Sequence, residues 1–267
     1  MEPSILLLFF GIGALVGLLA GFFGIGGGAV LNPFLLTFFE LHNYNPEIYV
    51  QLAFGTSLFV STFSSLFSVY RHQKNHNVIW RVVPIVAPGS IIGAYLGSCT
   101  AAILPGAILK KIFALAVAVL AYQMFRGYNS VSQVKSSKHE IARLISIGLG
   151  GGFVAALIGI GGGILYVPLM ALALHYSVKK IAGTSSAIII FTALAGTVGY
   201  VLHGWNHPLL PDGSWGFVYV KGVIPLLVGA LIFSQIGAQL NHLLPAKIVR
   251  VLFASFLVVV FIKMMFF

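Results

Sequence analysis

Two glycine runs hold the residues best placed to do chemistry. Gly24, Gly26, Gly27 and Gly28 stand in Phe23-Gly24-Ile25-Gly26-Gly27-Gly28, and Gly159, Gly161, Gly162 and Gly163 stand in Ile158-Gly159-Ile160-Gly161-Gly162-Gly163. Each run opens a short apolar segment with a proline, Pro33 or Pro168, nine residues after the first glycine. Three glycines in a row make a poor helix interior, at about 1 kcal/mol each relative to alanine, and let a chain turn sharply without Cβ clashes. Inside a membrane such a break leaves N–H and C=O groups unpaired, which is tolerable only within protein or beside a watered cavity. The half-helix that restarts after the break begins with free N–H groups and the positive end of its dipole, a combination that suits an anion. Two such ends near the midplane would make one anion site without a buried lysine or arginine. The competing use of glycine is close helix packing, to which Gly13 with Gly17 and Gly93 with Gly97 are assigned by their GxxxG spacing. Pro33 and Pro168 read as helix punctuation.

Hydroxyls form the second group. Gly55-Thr56-Ser57 and Gly183-Thr184-Ser185-Ser186 lie at similar depths in the apolar segments that follow the two breaks. Thr56, Ser57, Thr184, Ser185 and Ser186 can bond a backbone carbonyl, glue helices together, or point at substrate oxygens. Asn32, matched by Val167 in the other half, is a polar residue in the first short segment and makes the pair of segments unequal. No Asp or Glu occurs within any apolar segment, so the carboxylate relay of many cation pumps is missing and anion transport fits better. His72 with His76 and His203 with His207 have i,i+4 spacing at loop ends, without the further ligands and supporting carboxylates a metal site needs. His175 or His203 could titrate in a coupling role. Neither glycine run sits in a βαβ unit, and no Lys-Ser/Thr follows to make a P-loop. Paired acids, HExxH and Ser/His sets are likewise absent at membrane depth, so no catalytic residue and no cofactor is expected.

The elements that must position these residues follow from composition. Of 267 residues only 7% are charged, 59% are hydrophobic and mean hydropathy is +1.02, too few polar groups to cover a soluble core. The net charge of +10 sits in short stretches between apolar runs, a topology signal and not a nucleic-acid footprint. The single cysteine, Cys99, is read as a small packed hydrophobe. The start, MEPSILLLFF, lacks the basic region of a signal peptide and is read as retained.

Apolar runs long enough to cross about 30 Å of hydrocarbon are read at 4–23, 49–70, 82–103, 107–125, 143–160, 182–203, 217–240 and 247–267, with short runs at 29–39 and 164–174. Besides the doubled glycine and GTS motifs, Gly97 and Pro105 match Gly237 and Pro245 at one common offset, so a repeat covers nearly the whole chain. The predicted fold is all-α and polytopic. It has two units, 1–126 and 143–267, joined by a basic linker at 127–142, and each unit is a long helix, a GGG break, a half-helix and three spanning helices. Each unit then crosses an odd number of times, so the second is inverted relative to the first. Basic residues agree: eleven of fifteen fall on the side predicted to be cytoplasmic, including the linker, with both termini on the outside. Lys110 and Lys111 run against this rule, either snorkelling to the outer interface or gathering anions at an outer mouth.

With its two GxGGG-x4-P motifs, Gly24 to Pro33 and Gly159 to Pro168, a GTS after each and inverted hydropathy, the chain resembles the TauE/SafE family of sulfite and organosulfonate exporters. The resemblance covers nearly all of the sequence. It implies export of small oxygen-rich anions such as sulfite, sulfoacetate or related sulfonates across the cytoplasmic (inner) cell membrane; the inverted repeats themselves predict a secondary transporter working by alternating access, with the anion held between the two glycine breaks. The partners it implies are a small inorganic or organic anion and membrane lipid, with a possible homodimer and no nucleic acid. Two other readings of the residues stay open, an anion channel or carrier of another solute, and a membrane-embedded assembly subunit without flux of its own.

Overall fold

A computed structural model describes residues 3–23, 27–126, 140–174, 176, 178–241 and 245–266. The helices among them are α1 (Pro3–Phe23), α2 (Gly28–Leu41), α3 (Tyr49–Lys74), α4 (Val83–Ile103), α5 (Gly106–Arg126), α6 (Glu140–Leu157), α7 (Gly163–Ala173), α8 (Val178–Gly204), α9 (Val220–Asn241) and α10 (Ala246–Phe266). A small hairpin of β1 (Ser214–Trp215) and β2 (Val218–Tyr219) precedes α9. The protein is an all-α polytopic membrane protein. Five helices, α3, α4, α5, α8 and α9, are long and apolar enough to cross a membrane, and α1 and α10 have 21 residues each. With 14 and 11 residues, α2 and α7 reach only roughly 21 and 17 Å at 1.5 Å per residue, short of a bilayer core.

The helices depart from the hydropathy reading at several ends and in the place of two prolines. The run at 143–160 ends as a helix at Leu157, because the glycine break begins upstream of the triple glycine. The segment 217–240 begins as a strand, since Gly213 and Gly216 take positive φ (85° and 51°) and turn the loop into the hairpin. Pro33 and Pro168 do not punctuate: each is the sixth residue of its half-helix. The ring removes one donor to the preceding turn, and packing holds the helix regardless, with Gly28 to Pro33 all buried.

Helix pairing is reciprocal between the halves. The first helix of each packs along the fourth of the other, α1 on α9 and α6 on α4, while α3 meets α8 and α5 meets α10. The first two pairs are glycine-faced. A Cβ added to Gly13 or Gly17 would stand 2.1 or 2.3 Å from a backbone oxygen of α9, and one on Gly93 or Gly97 would stand 2.0 or 2.2 Å from a backbone oxygen of α6. This is the close approach that GxxxG spacing permits in lipid. A core of large apolar side chains, Phe9, Phe39, Phe54, Phe113, Phe253 and Tyr200 among them, is fully buried between the halves. Ile92, Leu115, Leu194 and Val259 are exposed on outward faces, as lipid-facing side chains are.

Candidate functional site

The chain crosses from α6 to α7 with Gly159, Gly161 and Gly162 at φ of +66°, +77° and +102°, a region closed to most L residues. The carbonyls freed at the end of α6 are collected by side chains from elsewhere. Tyr200 Oη on α8 donates to Ala156 O at 3.1 Å. Asn32 Nδ2 on α2 donates to Ile158 O at 2.8 Å and to Gly159 O at 3.0 Å. Beside this tie, a Cβ on Gly28 would lie 2.3 Å from Ile160 O, so the start of α2 and the second break touch backbone to backbone.

With those carbonyls bonded, one buried side-chain acceptor, Asn32 Oδ1, is left without a partner beside the helix starts. In the first turns Val30 N and Leu165 N donate to the cap carbonyls Gly27 O and Gly162 O at 3.2 and 3.0 Å, which leaves the two preceding N–H groups of each helix without an acceptor inside it, and neither helix carries a side-chain N-cap. Both helix starts therefore offer N–H groups and positive dipole ends to one region. Among the described residues, no atom lies within 4 Å of a Cβ built on Gly27.

The hydroxyls divide sharply. Thr56 Oγ1 donates to Leu52 O at 2.6 Å and accepts from Tyr219 N at 2.9 Å, while Gly55 lets the Phe217 carbonyl approach to 2.2 Å from its would-be Cβ. Thr184 repeats the pattern at the other end of the molecule. It donates to Lys180 O at 2.7 Å and accepts from Ile79 N at 2.9 Å, with the Asn77 carbonyl 2.1 Å from the would-be Cβ of Gly183. Each Gly-Thr pair is thus a socket for the interhelical loop of the opposite half. Ser186 Oγ donates to Ala182 O and pairs with Ser68 Oγ at 2.9 Å, joining α3 to α8. Ser57 and Ser185, at 0% and 1% exposure, have hydroxyls without a partner, and a buried polar group left unpaired requires an explanation.

Of the residues singled out in the sequence, Gly27, Gly28, Asn32 and Gly159 to Gly163 come together. Thr56 and Thr184 are turned to opposite loops, and Pro33 and Pro168 lie within the half-helices. Gly24, Gly26, His175 and residues 127–139 of the linker lie outside the described residues. Lys110 pairs with Glu40 at 3.6 Å, and Lys263 Nζ donates to Thr37 Oγ1 at 2.5 Å. Both cations thus sit by the C-terminal half of α2, near the negative end of its dipole. His203 Nδ1 bonds Gly199 O, and the His207 ring packs on Phe217. In the loop between α2 and α3, burial and a hydrogen bond with Tyr219 push the Tyr44 phenol above its usual range.

Two residues were missed. Tyr200 is a deeply buried phenol, and such a group in an apolar span signals a partner for its O–H. Ser61, 5% exposed with an unpartnered Oγ, lies four residues after Ser57 and so on the same helix face.

Comparison with known proteins bears on what this arrangement is for. A family described as sulfite exporter TauE/SafE matches residues 9–264. The chain belongs to this family. A Haemophilus influenzae relative called "Probable membrane transporter protein" is 31% identical over 253 residues, covering 95% of both chains. The "Probable membrane transporter protein MJ0441" of Methanocaldococcus jannaschii is 28% identical, covering 92% of this chain and 90% of its own. YdhB of Bacillus subtilis, under the same kind of name, is 24% identical over 241 residues. No solved structure matches. This TauE/SafE chain is a multi-pass membrane transporter, and its relatives' names specify no cargo.

Proposed function

We propose that the protein is a secondary transporter that exports small oxyanions, such as sulfite or organosulfonates, across the inner cell membrane. The observation that carries this reading is the meeting of the start of α2 with the second break at Gly28 and Ile160, two half-helix starts without side-chain caps. Such a site offers donors and no negative side chain. An oxyanion supplies the acceptors that N–H and O–H groups require, and the helix ends supply the charge complement. Asn32 and Tyr200 occupy three backbone carbonyls freed at the second break, which weakens their competition with an anion.

Movement follows from the reciprocal packing. Units 1–126 and 143–267, inverted about the linker at 127–142, rock against each other around the site. Thr56 holds the outer hairpin and Thr184 the inner loop, and release of one tie at a time opens the site to one side. The linker lies in the cytoplasm and both termini lie outside. The absence of acids in the spans supports an anion as cargo.

The test is flux in liposomes holding the purified protein, with sulfite and sulfoacetate as probes. Gly27→Leu fills the open space without meeting a neighbour at its Cβ, so it should fold and lose transport. Wild-type flux by Gly27→Leu would sink the site. Single-channel currents in place of saturable flux would replace the carrier by a channel.

A further inference from the structure

Ser61 on α3 has a counterpart on α8. The doubled GTS motif aligns Ser57 with Ser185, so four residues on Ser61 aligns with Ile189. Both side chains reach the second break. A Cβ built on Gly161 would stand 3.1 Å from Ser61 Cβ, 3.2 Å from Ser61 Oγ and 3.6 Å from Ile189 Cγ2. Both are buried, at 5% and 8% exposure, and the Ser61 hydroxyl has no partner. The pseudo-symmetric positions therefore put a hydroxyl and a methyl beside one glycine, at the start of an 11-residue half-helix.

Resting on the anion site proposed above, we infer that Ser61 contacts the substrate and that Ser61 and Ile189 give the site one hydrogen-bonding wall and one apolar wall. An unpaired buried hydroxyl costs stability unless something bonds it in a working state of the protein. A helix restart beside it supplies further donors, so the missing partner is an acceptor. The Ile189 wall offers no hydrogen bond and penalises any polar oxygen turned towards it. An oxyanion with one apolar substituent satisfies both walls at once, whereas sulfite has only an oxygen or the lone pair of its sulfur to set against the methyl, and gains no apolar contact from either. Ser61 thus orients the substrate, and Ile189 sets the preference between the two kinds of anion.

The experiment compares wild type, Ser61→Ala, Ser61→Cys and Ile189→Ser in liposomes, with sulfite as the bare anion and methanesulfonate as the substituted one. Ser61→Ala should raise KM for both anions by about tenfold to a hundredfold, the value of a hydrogen bond to a charged group. Its melting temperature should equal or exceed that of wild type, because only an unpaired hydroxyl is lost. Ser61→Cys, of similar size but a weak donor, should fall between. Ile189→Ser should move the preference towards sulfite. Wild-type KM in Ser61→Ala, or an unchanged preference in Ile189→Ser, overturns the inference. If Gly27→Leu is inactive at the same time, the anion site itself stands and only the role of these two residues falls.

Discussion

Gly27 and Gly28 are neighbours in the first break, and the structure gives them opposite fates on substitution. A Cβ on Gly28 would lie 2.3 Å from Ile160 O, 2.7 Å from its carbonyl carbon and 2.9 Å from its Cα, all backbone atoms that cannot swing aside. Relief to an ordinary contact near 3.4 Å means parting the start of α2 from the second break by roughly 1 Å, which falls at the upper end of the overpacking range, about 3 kcal/mol. That movement also draws Asn32 away from Ile158 O and Gly159 O, now 2.8 and 3.0 Å distant. Past about 3.6 Å such contacts no longer count as hydrogen bonds, and loss of the two adds about 2 kcal/mol. A total of about 5 kcal/mol corresponds to a melting temperature roughly 10–20 °C lower for a chain of this size. Gly27 has φ −78° and ψ −27° with nothing within 4 Å of its would-be Cβ. Alanine fits that backbone and gains about 0.4–1 kcal/mol by restricting the unfolded chain. Its methyl nonetheless stands in the space assigned to the anion. Gly28→Ala should therefore melt low, while Gly27→Ala should melt at or above wild type and transport sulfite about tenfold less well, since about 1.4 kcal/mol of lost anion contact is a factor of ten. Paired thermal melts in detergent and fluxes in liposomes check both. A wild-type melt for Gly28→Ala would refute the contact between the two breaks, and wild-type flux for Gly27→Ala would refute the use of the space.

Thr56→Val and Thr184→Val each leave one backbone N–H, of Tyr219 or Ile79, without its acceptor, at about 1–3 kcal/mol. If the sockets close the two sides, this energy shifts the balance of states about 5–150-fold in opposite directions. A cysteine at Gly27 in a Cys99→Ser background should then react faster with an impermeant thiol reagent added outside in the Thr56 variant and more slowly in the Thr184 variant; equal shifts in one direction would count against the gating role. Asn32→Leu strands the carbonyls of Ile158 and Gly159, at about 2–4 kcal/mol for two unpaired acceptors. Asn32→Asp should destabilise further, because a carboxylate repels the carbonyls that the amide served. Thermal melts rank the three proteins, and an Asp variant as stable as wild type would show that the amide donates to neither carbonyl.

The second break was legible from local sequence because its cause is local: glycine removes the Cβ constraint at Gly159, Gly161 and Gly162, and the short run after it cannot span a bilayer. The length of α2 was less so. Nothing polar enough to stop a helix stands before His42, so α2 runs on through Glu40 and Leu41. The end of α6 was misplaced for a related reason, since Ile158 and Ile160 are apolar enough to extend a hydropathy run through backbone that has already left the helix.

Sequence by itself determined that the chain is a membrane protein, that a glycine-broken unit occurs twice, and that no acid lies in the spans, because length, hydropathy and charge act residue by residue. It could not separate Thr56 from Ser57 or Thr184 from Ser185, which share one motif. Tertiary structure decided that: a step of one residue turns a side chain by about 100° around a helix. The threonines thereby meet loops of the opposite half, with Thr56 bonded to a residue 163 positions away. The serines meet no partner at all. The same holds for Asn32, which the sequence shows as a polar residue in a half-helix, and whose partners 126 and 127 positions on make it the tie between the two breaks.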